Sequence, residues 1–204
     1  MIEQLQQLWL SELQGLAEKP LLIALFEQLC MRYNEKHRAY HNLQHIAFML
    51  ELAEKHRDNL QDFQAVLLSI WFHDAIYEPL RKDNEEQSAA LATTALRQLA
   101  IDRVVIDKIT HYILATKQHL PTQENDLQWF LDFDLAILSS SPEIYEAYTQ
   151  QIRQEYSFYP DFIYRVARKK VMTAFLERPA IYGKLGDHAE QQARLNITLE
   201  ISQL

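Results

Sequence analysis

The sequence predicts an all-α fold. Only 3 glycines and 6 prolines occur in 204 residues, which leaves little of the turn chemistry that sheets require. Leucine, alanine, glutamine and glutamate are abundant, and apolar residues recur at spacings of three and four along most of the chain. These observations indicate amphipathic helices packed in a single compact bundle.

The helices can be placed by their periodicity and by the residues that begin and end them. Pro20 suits the first turn of a second helix, and Ser141 before Pro142 is the clearest N-terminal signal. Asp83 and the acidic residues after it favour another helix start. The predicted helices cover 2–16, 20–33, a segment from 42 past 52, 61–76, 83–99, 102–116, 126–138, 142–156, 160–176 and 189–201.

Composition restricts the classes of function. The formal net charge of −8 disfavours binding to a nucleic-acid polymer, which depends on clustered cations. Cys30 is the only cysteine, so an internal disulfide is excluded. No apolar run approaches the roughly 20 residues of a membrane helix, and the N-terminus lacks the basic and apolar regions of a signal peptide. We expect one domain over 1–204, with no membrane association and a cytoplasmic location.

Ionisable residues interrupt three apolar segments. His73 and Asp74 follow the run Leu67-Leu68-Ser69-Ile70-Trp71-Phe72, His45 lies near the start of the third helix, and Asp134 lies in Phe130-Leu131-Asp132-Phe133-Asp134-Leu135. Burying such groups unpaired costs several kcal/mol, and a divalent cation gives them a common partner. The spacing of His41 and His45 also suits a zinc protease, but Asn42 stands where that motif requires Glu.

The chain resembles the HD-domain superfamily of metal-dependent phosphohydrolases, and in particular its small bacterial members. The resemblance covers most of the chain, with the motif-bearing core at about 20–140. It is carried by 40–46, 71–77, 83–89, 130–138, 152–156 and 175–182. It implies a helical bundle of the HD type and four metal ligands, His45, His73, Asp74 and Asp134. His41 and Asp132 compete with His45 and Asp134, or support the ligands by hydrogen bonding.

The resemblance also implies roles around the metal. The cofactor is one divalent ion of Mn, Fe, Co, Ni, Zn or Mg, and Asp74 could bridge a second ion. Glu85 or Glu86 would act as general acid or base, together with Asp74 as a catalytic residue. His111 and His119 lie where some members hold a second metal. The predicted substrate contacts are His41, Asn42, His119 and Arg153, the last chosen among family-typical residues that include Glu155, Tyr156, Arg168 and Arg178.

The implied function is hydrolysis of a phosphate ester of a nucleotide or small phosphorylated metabolite through a metal-activated water. A non-catalytic module that binds metal and nucleotide is the principal alternative. Two other hypotheses stay open: a helical bundle in which the same residues are hydrogen-bonded core groups, and a di-iron oxidase. The oxidase would require more ligands than the four residues supply.

Overall fold

A computed structural model describes all residues from Met1 to Leu204. It is 70% helical, has ten α-helices and contains no strands, so the predicted all-α fold is confirmed. The helices are α1 (Ile2–Glu12), α2 (Lys19–Tyr33), α3 (Leu43–Lys55), α4 (Phe63–Phe72), α5 (Asn84–Gln98), α6 (Arg103–Ala115), α7 (Asn125–Leu135), α8 (Pro142–Glu155), α9 (Asp161–Leu176) and α10 (Gly186–Gln203). Short 3₁₀ segments cover Arg57–Asn59 and Ala136–Ser139.

Helix α4 is the central helix, as its apolar sequence predicts. Every residue from Phe63 to Phe72 except Gln64 is buried. The helix is shorter than the predicted 61–76 for a local reason at each end. The Asp62 carboxylate accepts a hydrogen bond from the Ala65 amide at the start. At the other end, the buried guanidinium of Arg38 donates to the carbonyl oxygens of Asp74 (2.6 Å) and Ala75 (3.2 Å).

The other boundaries lie within four residues of those predicted, and the largest differences are at the ends of α1 and α7 and at the start of α10. Helix α1 ends at Glu12 instead of residue 16, and Gly15 in the following turn has φ of +89°. Helix α10 begins at Gly186 instead of residue 189. Gly186 has φ of +82°, a left-handed conformation that glycine adopts without steric cost.

The apolar interior consists of two clusters. The larger cluster has 36 buried residues, surrounds α4 and includes the edge-to-face pair Trp9 and Trp71. The smaller cluster has 10 buried residues, most of them from α8, α9 and α10. Leu185 packs against both clusters. Leu185 therefore joins the larger cluster to the cluster of the last three helices.

Helix α9 is joined to α10 by a buried ion pair. Arg168 Nε donates to Glu200 Oε1 at 2.7 Å, and Tyr145 donates from its hydroxyl to the other oxygen of Glu200. Most of the remaining surface of α9 is exposed, including Phe162 and Val166. No helix is both long enough and apolar enough to cross a membrane.

Candidate metal centre

Three helices bring the four predicted ligands to one place. His45 lies in the first turn of α3, whose start is fixed by Asn42. His73 comes directly after the end of α4 and has helical dihedral angles, and Asp74 follows it. Asp134 is the penultimate residue of α7. Because His73 stands at a helix end, the chain can turn and place the adjacent Asp74 beside it.

The side-chain atoms of these residues converge. His73 Nε2 lies 3.2 Å from His45 Nε2 and 3.1 Å from Asp74 Oδ2. Asp134 Oδ1 lies 3.1 Å from His45 Nε2 and 3.5 Å from His73 Nε2. His45, His73 and Asp74 each offer a ligand atom, and these atoms lie within 4.8 Å of one another, so this group could hold a metal ion.

The separations suit a shared ion. Nitrogen and oxygen ligands lie at about 2.0–2.2 Å from a transition metal, so neighbouring ligands are about 3.0 Å apart in an octahedron and about 3.4 Å apart in a tetrahedron. The observed distances between neighbouring donors, 3.1 to 3.5 Å, fall in this interval or just outside it. His73 Nδ1 donates to the Ile70 carbonyl at 2.9 Å, which orients the ring and directs Nε2 toward the cluster. The donor set of His45, His73 and Asp74 therefore fits a divalent cation, and the Asp134 carboxylate, which is outside that group, lies next to both histidines.

Without an ion, the cluster is stabilised by a proton. Burial alone would lower the pKa of His73, but the charges of Asp74 and Asp134 outweigh it and raise that pKa well above its usual value. Burial raises the pKa of the Asp74 and Asp134 carboxyl groups, whereas the charge of His73 lowers it. The lowering is the larger effect in both groups, so both pKa values lie below their usual range. Burial lowers the pKa of His45, whose Nδ1 has no hydrogen-bond partner. A metal ion and the His73 proton would compete for one position.

The carboxylates of Asp74 and Asp134 line a solvent-accessible cavity of about 280 Å³. Its walls come from both halves of the chain, since Tyr148, Tyr156 and Phe175 face the residues that follow α4. The polar lining is mostly charged or titratable. It includes His41, Asp74, Arg81, Glu85, His119 and Asp134.

His119 is bound to the cluster directly. Its Nε2 lies 2.7 Å from Asp134 Oδ2, the oxygen that does not face His45. The His119 backbone has φ of +48°, which is unusual for a residue with a side chain. Arg178 holds this conformation, because it donates to the carbonyl oxygens of His119 (2.7 Å) and Gln118 (2.9 Å). His119 thus contacts a predicted ligand and lines the cavity.

His41 is oriented by Glu155. The carboxylate of Glu155 accepts hydrogen bonds from His41 Nδ1 (2.6 Å), the amides of Tyr40 and His41, and the Tyr77 hydroxyl. Burial alone would lower the pKa of His41, but the hydrogen bond and charge of Glu155 outweigh it and raise that pKa. Glu155 therefore favours the protonated form of His41 at the cavity wall and holds its ring apart from the four ligands.

The loop after α4 carries Glu85 to the cavity. The Asn84 side chain accepts from the Glu78 amide and donates to the Glu78 carbonyl, both at 3.0 Å, which fixes the chain just before α5. Glu85 lines the cavity, whereas Glu86 does not. The Glu86 carboxylate pairs with Lys117 at 2.5 Å, and the same ammonium group lies 3.7 Å from the Glu85 carboxylate.

Four other predicted residues lie elsewhere. The Asn42 side chain accepts from the Gln44 amide and donates to the Ala39 carbonyl, so it caps α3 and does not line the cavity. Arg153 pairs with Asp161 at 2.5 Å, also outside the cavity. Asp132 points away from the centre and accepts from the amides of 183–185 and from Gln128. His111 is exposed and lies 3.5 Å from Glu124.

Sequence reasoning missed the positioning residues. Arg38, which fixes the backbone around Asp74, carries no motif signal. Glu155 and Arg178 belong to the family resemblance, but nothing in their local sequence shows that they bind His41 and the His119 backbone. These contacts span 114 and 59 residues. Only the packing of α8 and of the segment after α9 against the first half of the chain reveals them.

No family model, curated protein or solved structure matches the chain. The resemblance to the HD superfamily therefore stays a prediction from the sequence.

Proposed function

We propose that the protein is a metal-dependent phosphohydrolase, with His45, His73, Asp74 and Asp134 as ligands of one divalent ion. One observation carries the proposal: two buried imidazole Nε2 atoms lie beside two carboxylates that line a cavity. The four residues are those that the HD resemblance identifies as ligands.

The cavity contains two groups that could contact an anionic substrate beside a bound ion. His41, whose pKa Glu155 raises, and the guanidinium of Arg81, which also lies 3.3 Å from the Asp83 carboxylate, both line it. The cavity is also lined by three carboxylates and the chain as a whole carries a formal charge of −8, so the positive charge of the ion is needed to attract a phosphate. Charged donors of this kind bind phosphate oxygens more strongly than neutral donors do. The fixed orientation of His41 on Glu155 would hold a phosphate group without the entropic cost of ordering a free side chain.

When bound, the ion would polarise a phosphoryl oxygen and lower the pKa of a nearby water from 15.7 toward about 7. Glu85 lines the cavity close to the predicted ligands and is the residue placed to accept a proton from the attacking water or donate one to the leaving group. His119 orients Asp134 through its hydrogen bond, and His41 and Arg81 bind the substrate phosphate. The proposed substrate is a nucleotide or another small phosphorylated metabolite.

The test is metal analysis followed by a hydrolysis screen. The native chain and Asp74→Asn, purified without chelator or nickel affinity, are incubated with Mn, Fe, Co, Ni, Zn or Mg salts and desalted. About one equivalent of metal in the native chain, much less in the variant, and metal-dependent release of phosphate from esters would support the proposal. Asp161→Asn, an exposed aspartate outside the cavity, is the control and should bind metal normally.

Two results would contradict the proposal in different ways. Equal and negligible metal in all three proteins would exclude the metal centre and favour a hydrogen-bonded core cluster. Stoichiometric metal and nucleotide binding without release of phosphate under any metal would favour the non-catalytic binding module.

A further inference from the structure

A second cavity of about 280 Å³ lies beside the metal cavity, between α8 and α9. Its walls are mainly aromatic and aliphatic, and three of them are the rings of Tyr148, Tyr156 and Tyr164. On α9 the exposed Ala167 and the buried Arg168 line it. This cavity contains no carboxylate, in contrast to the metal cavity.

The two cavities share walls. His41, Tyr148 and Tyr156 line both of them. The rings also connect the second cavity to the predicted ligands: the Tyr148 ring centroid is 4.7 Å from that of Tyr40, which is 4.9 Å from that of His45. A molecule whose phosphate lies at the metal cavity therefore has this apolar space next to it.

Arg168 provides one unused hydrogen-bond donor in this space. Its Nε and Nη2 donate to the carboxylate of Glu200, and Nη2 also donates to the Tyr148 hydroxyl at 3.2 Å. Nη1 makes no hydrogen bond within the protein and is open to solvent, although the residue as a whole is buried and lines the cavity. Because Glu200 compensates the positive charge, the free Nη1 group suits a neutral acceptor better than a second phosphate.

We infer that this second cavity binds the organic group of the substrate, and that this group is a flat aromatic ring carrying a hydrogen-bond acceptor. The inference rests on the proposed phosphohydrolase function, because it places the phosphate at the metal cavity. The tyrosine rings would contact the faces or edges of the bound ring, and Arg168 Nη1 would donate to its acceptor. The C-terminal helices would thus determine specificity, while α3, α4 and α7 supply the metal ligands.

The test measures binding of non-hydrolysable phosphonates to the Mn-loaded chain by calorimetry. Phenylalkyl phosphonates with one to four methylene groups are compared with methylphosphonate, since the linker length that joins the two cavities is to be found by experiment. We expect the best phenyl compound to bind at least tenfold more tightly than methylphosphonate. A para-acetyl group on its ring should improve binding at least threefold more.

Two variants locate the effect. Ala167→Trp would fill the second cavity, and we expect the preference for the phenyl compound to fall below threefold while methylphosphonate binds as before. Val166→Trp places the same side chain on an exposed neighbour that does not line the cavity, and the preference should be retained.

Each contrary outcome has a distinct meaning. If every phenylalkyl phosphonate binds the native chain with about the same affinity as methylphosphonate, the aromatic subsite is overturned. Continued ester hydrolysis would then leave the proposed function intact. An undiminished preference in Ala167→Trp would overturn the location. No improvement from the acetyl group would overturn the role of Arg168. Failure of all phosphonates to bind, together with no hydrolysis of any ester, would refute both the subsite and the phosphohydrolase.

Discussion

His119 and Asp134 are joined by a 2.7 Å hydrogen bond between Nε2 and Oδ2, and the backbone that carries the His119 side chain is left-handed. A non-glycine residue in that conformation costs roughly 1–2 kcal/mol. The cost is met by the two hydrogen bonds that Arg178 donates to the carbonyls of Gln118 and His119. Such strain is commonly kept where it positions a functional group, here a predicted metal ligand.

We predict that His119→Gly weakens metal binding without unfolding the protein. Glycine tolerates the φ of +48°, but the hydrogen bond that orients Asp134 is lost. Loss of an outer partner of a ligand typically lowers metal affinity about 10–100-fold. Isothermal titration with Mn and thermal unfolding of the metal-free protein measure the two effects.

The control is Ala100→Gly, because Ala100 also has a positive φ, of +54°, and lies outside the cavity. It should bind metal as the native chain does. Equal metal affinity in His119→Gly and the native protein would show that His119 does not position Asp134.

Asp134 and Asp132 give a second matched pair, on one helix and two residues apart. We predict that Asp134→Asn lowers metal affinity at least about 100-fold, since it replaces a charged carboxylate ligand with a neutral amide. Asp132→Asn should keep its metal but unfold more easily, by about 1–3 kcal/mol, because three backbone amides lose the charged acceptor on the buried Asp132 side chain. Metal content and chemical denaturation distinguish the two variants; the opposite pattern would make Asp132 the ligand.

Asp132 and Asp134 also show how much of the site the sequence predicts. The Asp-Phe-Asp segment predicts two carboxylates on a buried helix, and the apolar runs predict that His45, His73 and Asp74 are buried together. Which aspartate faces the histidines depends on the packing of α7 against α3 and against the loop at 183–185, contacts between residues far apart in the chain. Helix periodicity identifies a buried residue but does not identify its partner.

The same limit explains the substrate contacts. Arg153 is a natural phosphate ligand by chemistry, yet Asp161 lies eight residues later at the start of α9 and pairs with it. Asn42 has the residue type of a helix cap as well as that of a binding residue, and it caps α3. His41 is fixed by a carboxylate 114 residues away, which no local pattern could indicate.

The two glutamates after α4 test the proposed proton transfer. We predict that Glu85→Gln lowers kcat about 100- to 10,000-fold with little change in KM, because a general acid or base acts in the transition state. Glu86→Gln should retain native kcat, since Glu86 pairs with Lys117 outside the cavity. Steady-state kinetics on any ester found in the screen, at equal metal occupancy, measures both. Equal losses in the two variants would exclude a specific role for Glu85.

Glu155 should make stability depend on pH. Burial alone would raise its pKa, but the hydrogen bond and charge of His41, with two backbone amides, outweigh burial and lower the pKa to about 2. A depressed carboxyl pKa stabilises the fold above the unfolded-state pKa of about 4.3, and this contribution is lost as pH falls toward 2. The raised pKa of His41 acts in the other direction, because its contribution is present below about 6.5 and is lost as pH rises through the folded-state value.

We therefore predict that Glu155→Gln destabilises the metal-free protein most between about pH 5 and 6.5, by roughly 1–3 kcal/mol, where the carboxylate and the imidazolium are both charged. The difference in free energy of unfolding between Glu155→Gln and the native chain should shrink below about pH 4, because the stabilising contribution of the Glu155 carboxylate is lost in that range. Urea unfolding from pH 3 to 9 in the presence of chelator measures it, with the exposed Glu51→Gln as control. A constant difference between Glu155→Gln and the native chain across this range would show that the two residues are not held as an ion pair.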